Sequence, residues 1–341
     1  MSKTFNDNSD DDRADDREPT PLLIAYLQLI RLPNVFTAMA DVLMGFLFTH
    51  QSLEPLPVFF ALLASSSLLY MSGMVLNDVF DVEIDRRERP ERPLPSKIIS
   101  TSWAKWLGVQ MLLLGVGMAL VASKLAEDFR CVVVAVILAM MIVAYDRVLK
   151  RTFFGPLAMG ACRFLNVLLG MSAAVVPWID ERADWNATNF VAAGGIGLYI
   201  VGVTWFAKKE AVRSDKTQLA LGTLIIYAGM GLLAALWYWN EDPYLLGLRP
   251  MIESPSRWFM LWGLLAMGIT WRCWRAVLHP GPKHVQAAVQ FAIFSLIVLD
   301  AIVCVAARGM QDAAIGGIPG PILIVGLLLP TMLLGRWIYA T

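Results

Sequence analysis

Nine residues, Asn77-Asp78-Val79-Phe80-Asp81-Val82-Glu83-Ile84-Asp85, carry one carboxamide and four carboxylates at the end of a long apolar stretch. If the apolar helix continues through them, Asn77, Asp81 and Asp85 are successive i,i+4 neighbours and form one stripe, with Asp78 beside it. Acidic oxygens gathered at a membrane exit are costly unless something neutralises them. Magnesium suits such a stripe, because it takes oxygen ligands and shares them with substrate phosphates. A solvated helix end with ordinary ion pairs to Arg86 and Arg89 is the competing reading.

More candidate chemistry follows. Three prolines in Arg89-Pro90-Glu91-Arg92-Pro93-Leu94-Pro95-Ser96 exclude a regular helix. Arginines on so stiff a loop can offer forked donors to phosphate, or can simply signal topology. Tyr145-Asp146-Arg147-Val148-Leu149-Lys150-Arg151 forms a second basic loop. Arg163 and Asn166 stand i,i+3 on one face inside an apolar stretch. An intramembrane arginine marks a functional site or faces a polar cavity, and snorkelling is the weaker account one or two turns inside the span. A third cluster runs Lys208-Lys209-Glu210-Ala211-Val212-Arg213-Ser214-Asp215-Lys216. Gly73 stands eight residues before Asp81, and Gly202 eight before Glu210, a weak internal repeat that chance could also produce.

The elements that must position these groups are membrane helices. Of the 341 residues, 57% are hydrophobic and 16% charged, against about 45–50% and about 25% in soluble domains. Ten apolar spans follow one another, at about 27–49, 56–78, 103–123, 129–146, 156–178, 188–207, 217–239, 257–275, 286–307 and 318–339. Each is long enough to cross a hydrocarbon core of about 30 Å. None alternates in polarity as barrel strands would, so the spans are read as helices. Lysine and arginine concentrate in the loops after spans two, four, six and eight, which puts those loops and both termini on the cytoplasmic side of a bacterial inner or plasma membrane. The 28 basic and 28 acidic residues balance, so nothing suggests a nucleic-acid partner. The first 22 residues read as a disordered acidic tail. Cys131, Cys162, Cys273 and Cys304 read as small buried hydrophobes, and the three histidines do not build a zinc site.

These motifs, in this order, resemble the UbiA superfamily of intramembrane prenyltransferases. The carrying residues are the N-D-x-x-D-x-x-x-D run Asn77 to Asp85, and the R-P-L-P-S turn Arg92 to Ser96. With them go the Tyr145…Lys150-Arg151 loop, the Gly160-x-x-Arg163 helix and the Arg31-Leu32-Pro33-Asn34 opening of the first span. The likeness covers about residues 25–310 and is greatest to a less characterised bacterial UbiA-like branch. It implies an all-α nine-helix bundle around a central cavity over residues 23–310, to which residues 311–341 add a tenth helix. It also implies Mg2+-dependent transfer of an isoprenyl group from its diphosphate to a lipophilic, for instance aromatic, acceptor. The implied metal ligands are Asn77, Asp78, Asp81, Asp85, Glu210 and Asp215. Asp81, Asp85, Lys150 and Arg163 are the implied catalytic residues, and Asn34, Arg92, Tyr145, Arg151, Asn166 and Arg213 the implied substrate-binding residues. The chain departs from the family where a second D-x-x-x-D motif is expected, since Glu210 is followed by Ser214, with Asp215 one place late.

The reaction so implied breaks the C–O bond of an allylic diphosphate in a water-free cavity, where the acceptor captures the cation. No general base emerges from the sequence. Two other classes fit parts of it. A transporter or lipid-binding protein also carries intramembrane charge, although there it lies near the midplane and not at one face. A non-catalytic relative would explain the broken second motif.

Overall fold

The computed structural model describes residues 21–50, 52–173, 185–208, 214–239, 255–308 and 313–338. The fold is a helical bundle. Its elements are α1 (Leu22–Leu29), α2 (Leu32–Thr49), α3 (Leu56–Glu88), α4 (Thr101–Ala126), α5 (Arg130–Arg147), a single 3-10 turn (Leu149–Arg151) and α6 (Gly155–Gly170). They continue with α7 (Ala187–Ala207), α8 (Lys216–Ala234), α9 (Leu236–Trp239), α10 (Pro255–Leu278) and α11 (Pro282–Arg308). A two-strand hairpin, β1 (Ala313–Ile315) and β2 (Ile318–Pro319), then leads into α12 (Gly320–Gly326) and α13 (Leu328–Ile338). Among the described residues six helices are long and apolar enough to cross a membrane: 22–49, 56–88, 101–126, 187–207, 216–234 and 282–305.

Local sequence explains most of the boundaries. Ser100 caps α4 by accepting from the Trp103 amide, and Asn186 and Asn189 form a reciprocal capping box at α7. Prolines stand in the first turns of α2, α3 and α6, where their missing amide costs nothing. The first apolar span is broken at Arg31, which takes a left-handed conformation with φ 48° two residues before Pro33. Proline cannot donate back to the preceding turn, so the helix restarts there in a new direction. The break frees the Arg31 side chain to reach α3.

Consecutive helices pack side by side from α2 to α8, α10 bridges α8 to α11, and α11 returns to α2, closing the bundle. Close crossings hold it. A Cβ on Gly170 would lie 2.5 Å from the Val42 carbonyl oxygen, and one on Gly45 2.6 Å from that of Val167, so α2 and α6 touch backbone to backbone. Gly222 and Gly229 face Phe206 and Tyr199 in the same way, so these small residues pack α8 on α7 within the chain. The core is filled by Phe46, Leu62, Leu169, Ile196 and Tyr199, with the Tyr199 hydroxyl donating to the Ala292 carbonyl at 2.8 Å.

The tenth apolar span differs from the single helix expected over 311–341. A hairpin turning through Gly316 and Gly317 comes first, and the helix then breaks at Leu327. Pro330 has no amide for the Gly326 carbonyl, which explains the break. The pieces of 7 and 11 residues are too short to cross the bilayer singly. They pack on α2 and α11 instead.

Candidate functional site

α3 is 33 residues long, about 50 Å at 1.5 Å per residue, against a hydrocarbon core of about 30 Å. Its last turns therefore stand clear of the apolar layer while remaining helical, and they carry the acids. The expected stripe resolves into two pairs. Lys150 Nζ lies 2.9 Å from Asn77 Oδ1 and 2.8 Å from Asp81 Oδ2, and Arg151 Nη2 lies 3.3 Å from Asp81 Oδ1. Arg92 Nη1 lies 2.8 Å from Asp85 Oδ2 and 3.7 Å from Asp78 Oδ1, and Arg31 Nη2 donates to Asp78 Oδ1 at 3.2 Å. Helix geometry explains the regrouping. Each i,i+4 step drifts by about 40°, so Asp85 stands about 80° round from Asn77, whereas the i,i+7 pair Asp78 and Asp85 is offset by only about 20°.

The basic partners are held by local structure. The 3-10 turn carries Lys150 and Arg151, and Gly155 lets its carbonyls approach closely: a Cβ there would sit 2.9 Å from the Lys150 oxygen. Arg92 opens a compact turn in which Ser96 Oγ donates to the Arg92 carbonyl at 2.7 Å and the Ile99 amide to that of Pro93 at 3.1 Å. Leu94 and Ile99 bury against Ala25, Leu29, Val75 and Ala104 and pin that turn to α1, α3 and α4.

Two cavities meet at this acidic end. One, of about 200 Å³, runs from Arg31, Asn77 and Tyr145 at its polar mouth, past Leu69, Met74 and Ile142, to Arg163 and Asn166. The other, of about 500 Å³, lies across Arg31, between the Arg89–Pro93 turn and α11, and reaches Asn34 and Ile338.

Arg163 and Asn166 sit away from the α3 acids, in a buried network. Arg163 Nη1 lies 2.7 Å from Asp41 Oδ2, and its Nη2 donates to Thr37 Oγ1 at 2.7 Å. Asn166 Nδ2 donates to Asp41 Oδ2 at 2.9 Å and to the Ala38 carbonyl at 3.0 Å, while its Oδ1 accepts from Ser66 at 2.6 Å. The Arg163 guanidinium lies 5.3 Å from the Tyr70 ring centre. Asp300 of α11 faces the same pair.

The second acidic cluster is only partly in view. Glu210 and Arg213 lie outside the described residues. Asp215 does not join the α3 acids: it is the exposed N-cap of α8 and accepts from the Thr217 amide at 3.1 Å, since an aspartate directly before a helix satisfies orphan amides there. Gly73 and Gly202, which the repeat would equate, meet different helices: Gly73 faces Ile142 of α5 and Gly202 faces Ile226 of α8.

Sequence reasoning missed Asp41, Asp146 and Asp300, all buried. The signal was present, because an acid within an apolar span invites the same question as Arg163 does. It also gave Arg31 no role beyond its motif. The donor set of Asn77, Asp78, Asp81 and Asp85 is all oxygen, which fits a hard divalent cation. Among the described residues, no three acidic, histidine or cysteine side chains converge as a ready-made cation cage, and here arginine and lysine hold the acids.

The UbiA prenyltransferase family model matches residues 38–297. Among curated relatives, digeranylgeranylglyceryl phosphate synthase of Saccharolobus solfataricus is 33% identical over 149 residues, covering 43% of this chain and 51% of that protein. The synthase of the same name from Sulfurisphaera tokodaii is 30% identical over 208 residues, covering 60% and 70%. Most such matches span about half of the relative's length. A solved digeranylgeranylglyceryl phosphate synthase aligns with a TM-score of 0.57 at 23% identity, over 84% of this chain and 99% of that one. A UbiA homologue from Aeropyrum pernix K1 aligns with a TM-score of 0.60 at 16% identity, over 80% and 97%. These two likenesses concern the fold.

Proposed function

We propose that this chain, which belongs to the UbiA prenyltransferase family, moves an isoprenyl group from its diphosphate to a hydroxyl of a lipophilic acceptor, with Mg2+. The observation that carries the reading is the acidic end of α3. There, oxygen ligands and four basic side chains converge over a cavity whose wall turns apolar. A solvated helix end would leave its acids to neighbours such as Arg86, yet among the described residues Arg86 pairs only with Glu83, while the other acids hold cations from the break between α1 and α2, the Arg92 turn and the 3-10 turn. The shared name of the relatives supports a finer reading, in which the acceptor is a prenylated glyceryl phosphate.

Lys150, Arg151 and Arg92 would bind the diphosphate oxygens as charge-assisted donors. Asn77, Asp78, Asp81 and Asp85 would hold Mg2+, which when bound neutralises charge on the leaving diphosphate. The C1–O bond of the allylic diphosphate breaks and its electron pair leaves with the diphosphate. The acceptor oxygen forms the new bond to C1, and its proton passes to a site carboxylate or to the released diphosphate. Leu69, Met74 and Ile142 line the cavity and exclude water from the allylic cation. Arg163 and Asn166 act as positioning residues, bracing α6 on α2 at the cavity floor.

The lysine and arginine bias of the loops supports a reading in which both termini and the acidic end lie on the cytoplasmic side of the plasma membrane. The test is binding of geranylgeranyl diphosphate to the purified protein, with and without Mg2+, in the wild type and in Asp81→Ala. The expected result is binding that needs both the metal and Asp81. Equal binding by a folded Asp81→Ala variant refutes the reading.

A further inference from the structure

One acid at this end of the bundle has no place among the groups assigned to the metal and the diphosphate. Asp146, the penultimate residue of α5, is 3% exposed, and its Oδ2 is buried with no hydrogen-bond partner among the described residues. It also makes no ion pair among the described residues, whereas Asp78, Asp81 and Asp85 are each held by arginine or lysine. A buried polar atom left without a partner costs free energy, so its presence asks for a reason.

Position supplies the reason that packing does not. Asp146 lines the smaller cavity, and among the described residues it is the only carboxylate in that wall. Ile142, one turn deeper on the same face of α5, lines the cavity too and belongs to its apolar stretch. In the other direction the chain leads to Lys150, and the charges that act on Asp146 are those of Lys150, Asp81, Arg31 and Asp78. Asp146 thus stands at the joint between the basic groups that would take the diphosphate and the wall that would take the isoprenyl tail. The C1–O bond of a bound donor lies at that joint, because there its polar head meets its tail. A carboxylate already in an ion pair must release its cation before it can take up a proton. Asp146 has no cation to release.

Resting on the transfer proposed above, we infer that Asp146 is its general base, the group that takes the proton of the acceptor hydroxyl as that oxygen bonds to C1. The step balances. The C1–O bond to the diphosphate breaks, and its electron pair leaves with the diphosphate. A lone pair of the acceptor oxygen forms the new C–O bond, and the O–H proton moves to a carboxylate oxygen of Asp146. The neutral acid then releases that proton at the polar mouth of the cavity as the diphosphate departs. Asp146 acts only on the acceptor, so ionisation of the donor does not depend on it.

The test uses the full chain in nanodiscs with geranylgeranyl diphosphate, Mg2+ and two acceptor probes. These are geranylgeranylglyceryl phosphate and its analogue with a thiol in place of the free hydroxyl. A thiol gives its proton to water far more readily than an alcohol does, so its attack on C1 needs no protein base. Asp146→Asn keeps the shape of the side chain and removes the proton acceptor. Transfer to the alcohol should fall about hundredfold or more, and transfer to the thiol by less than about tenfold. Donor Kd should be unchanged, and an isotope label should still scramble between the bridging and non-bridging oxygens of the bound donor. Asp146→Glu should recover part of the alcohol rate. A folded Asp146→Asn protein that transfers to the alcohol at the wild-type rate overturns the assignment. Equal losses with alcohol and thiol overturn it too, since they would mark a packing role, and so does a loss of donor binding, which would place Asp146 in the donor site. A wild type that binds donor but transfers to neither probe overturns only this inference. A wild type whose donor binding ignores Mg2+ and Asp81, while its alcohol transfer still needs Asp146, overturns only the metal reading.

Discussion

Replacing Arg163 by methionine separates two accounts of that residue. If Arg163 is a diphosphate donor, as its motif implies, the variant stays stable and loses donor affinity. The structure argues for the opposite. Asp41 is fully buried and Arg163 is 8% exposed, and they meet at 2.7 Å between α2 and α6. Removing one partner leaves the other charge buried and unpaired, at about 3–5 kcal/mol. At about 1.4 kcal/mol per decade, that is two to three and a half decades in the unfolding equilibrium. Removing both partners should cost far less, because the neighbours keep other contacts. Thr37 still donates to the Asn34 carbonyl at 2.7 Å, and Asn166 to that of Ala38 at 3.0 Å. The assay is reversible unfolding in mixed micelles for the wild type, Arg163→Met, Asp41→Leu and the double variant, with donor binding measured on each under conditions where it is folded. The expected pattern is two strongly destabilised single variants and a double variant more stable than either. An Arg163→Met protein as stable as the wild type that has lost only donor binding would refute the bracing role.

Two further outcomes follow from single sites. Gly170→Leu puts a side chain where a Cβ alone would lie 2.5 Å from a Val42 backbone oxygen; overpacking of about 1–3 kcal/mol or more should lower the unfolding midpoint, while Gly231→Leu, which meets nothing within 4 Å, should not. Asp215→Ala should cost about 1 kcal/mol of stability as a lost helix cap and leave Mg2+-dependent donor binding intact; an Asp81-like loss of binding would return Asp215 to the metal site.

The six long membrane helices were legible because their apolar runs are long enough to cross the hydrocarbon core and no strand pattern competes. The acidic motif was legible because its spacing survives as helix, since α3 does continue to Glu88. What the sequence hid has physical causes. The regrouping of Asp85 with Asp78 depends on which side of α3 each basic loop docks, and that is set by the burial of Leu94 and Ile99. The acid that pairs with Arg163 comes from α2, and Asp300 from α11, so only the ring closure of the bundle reveals them. The break at Leu327 was readable from Pro330, but high hydropathy across 318–339 outweighed one proline. The left-handed turn at Arg31 was equally hidden inside an apolar run, and it supplies the residue that divides the two cavities.

The same ion pairs constrain how the proposed site is entered. Arg92 serves two buried carboxylates, and Lys150 serves one carboxylate and one carboxamide. A basic group turned fully toward a diphosphate would strand the acids behind it, and an unpaired buried carboxylate costs several kcal/mol. Donor binding is therefore tolerable only if positive charge arrives with the diphosphate, or if the basic groups bridge acid and phosphate together. Lys150 is placed to bridge, because its ammonium has three donors and uses two here. Arg92 has donors to spare beyond its Nη1 contacts. The resting ion pairs thus act as a charge-balanced holding state for the acids, and they tie the affinity for the donor to the cation that accompanies it.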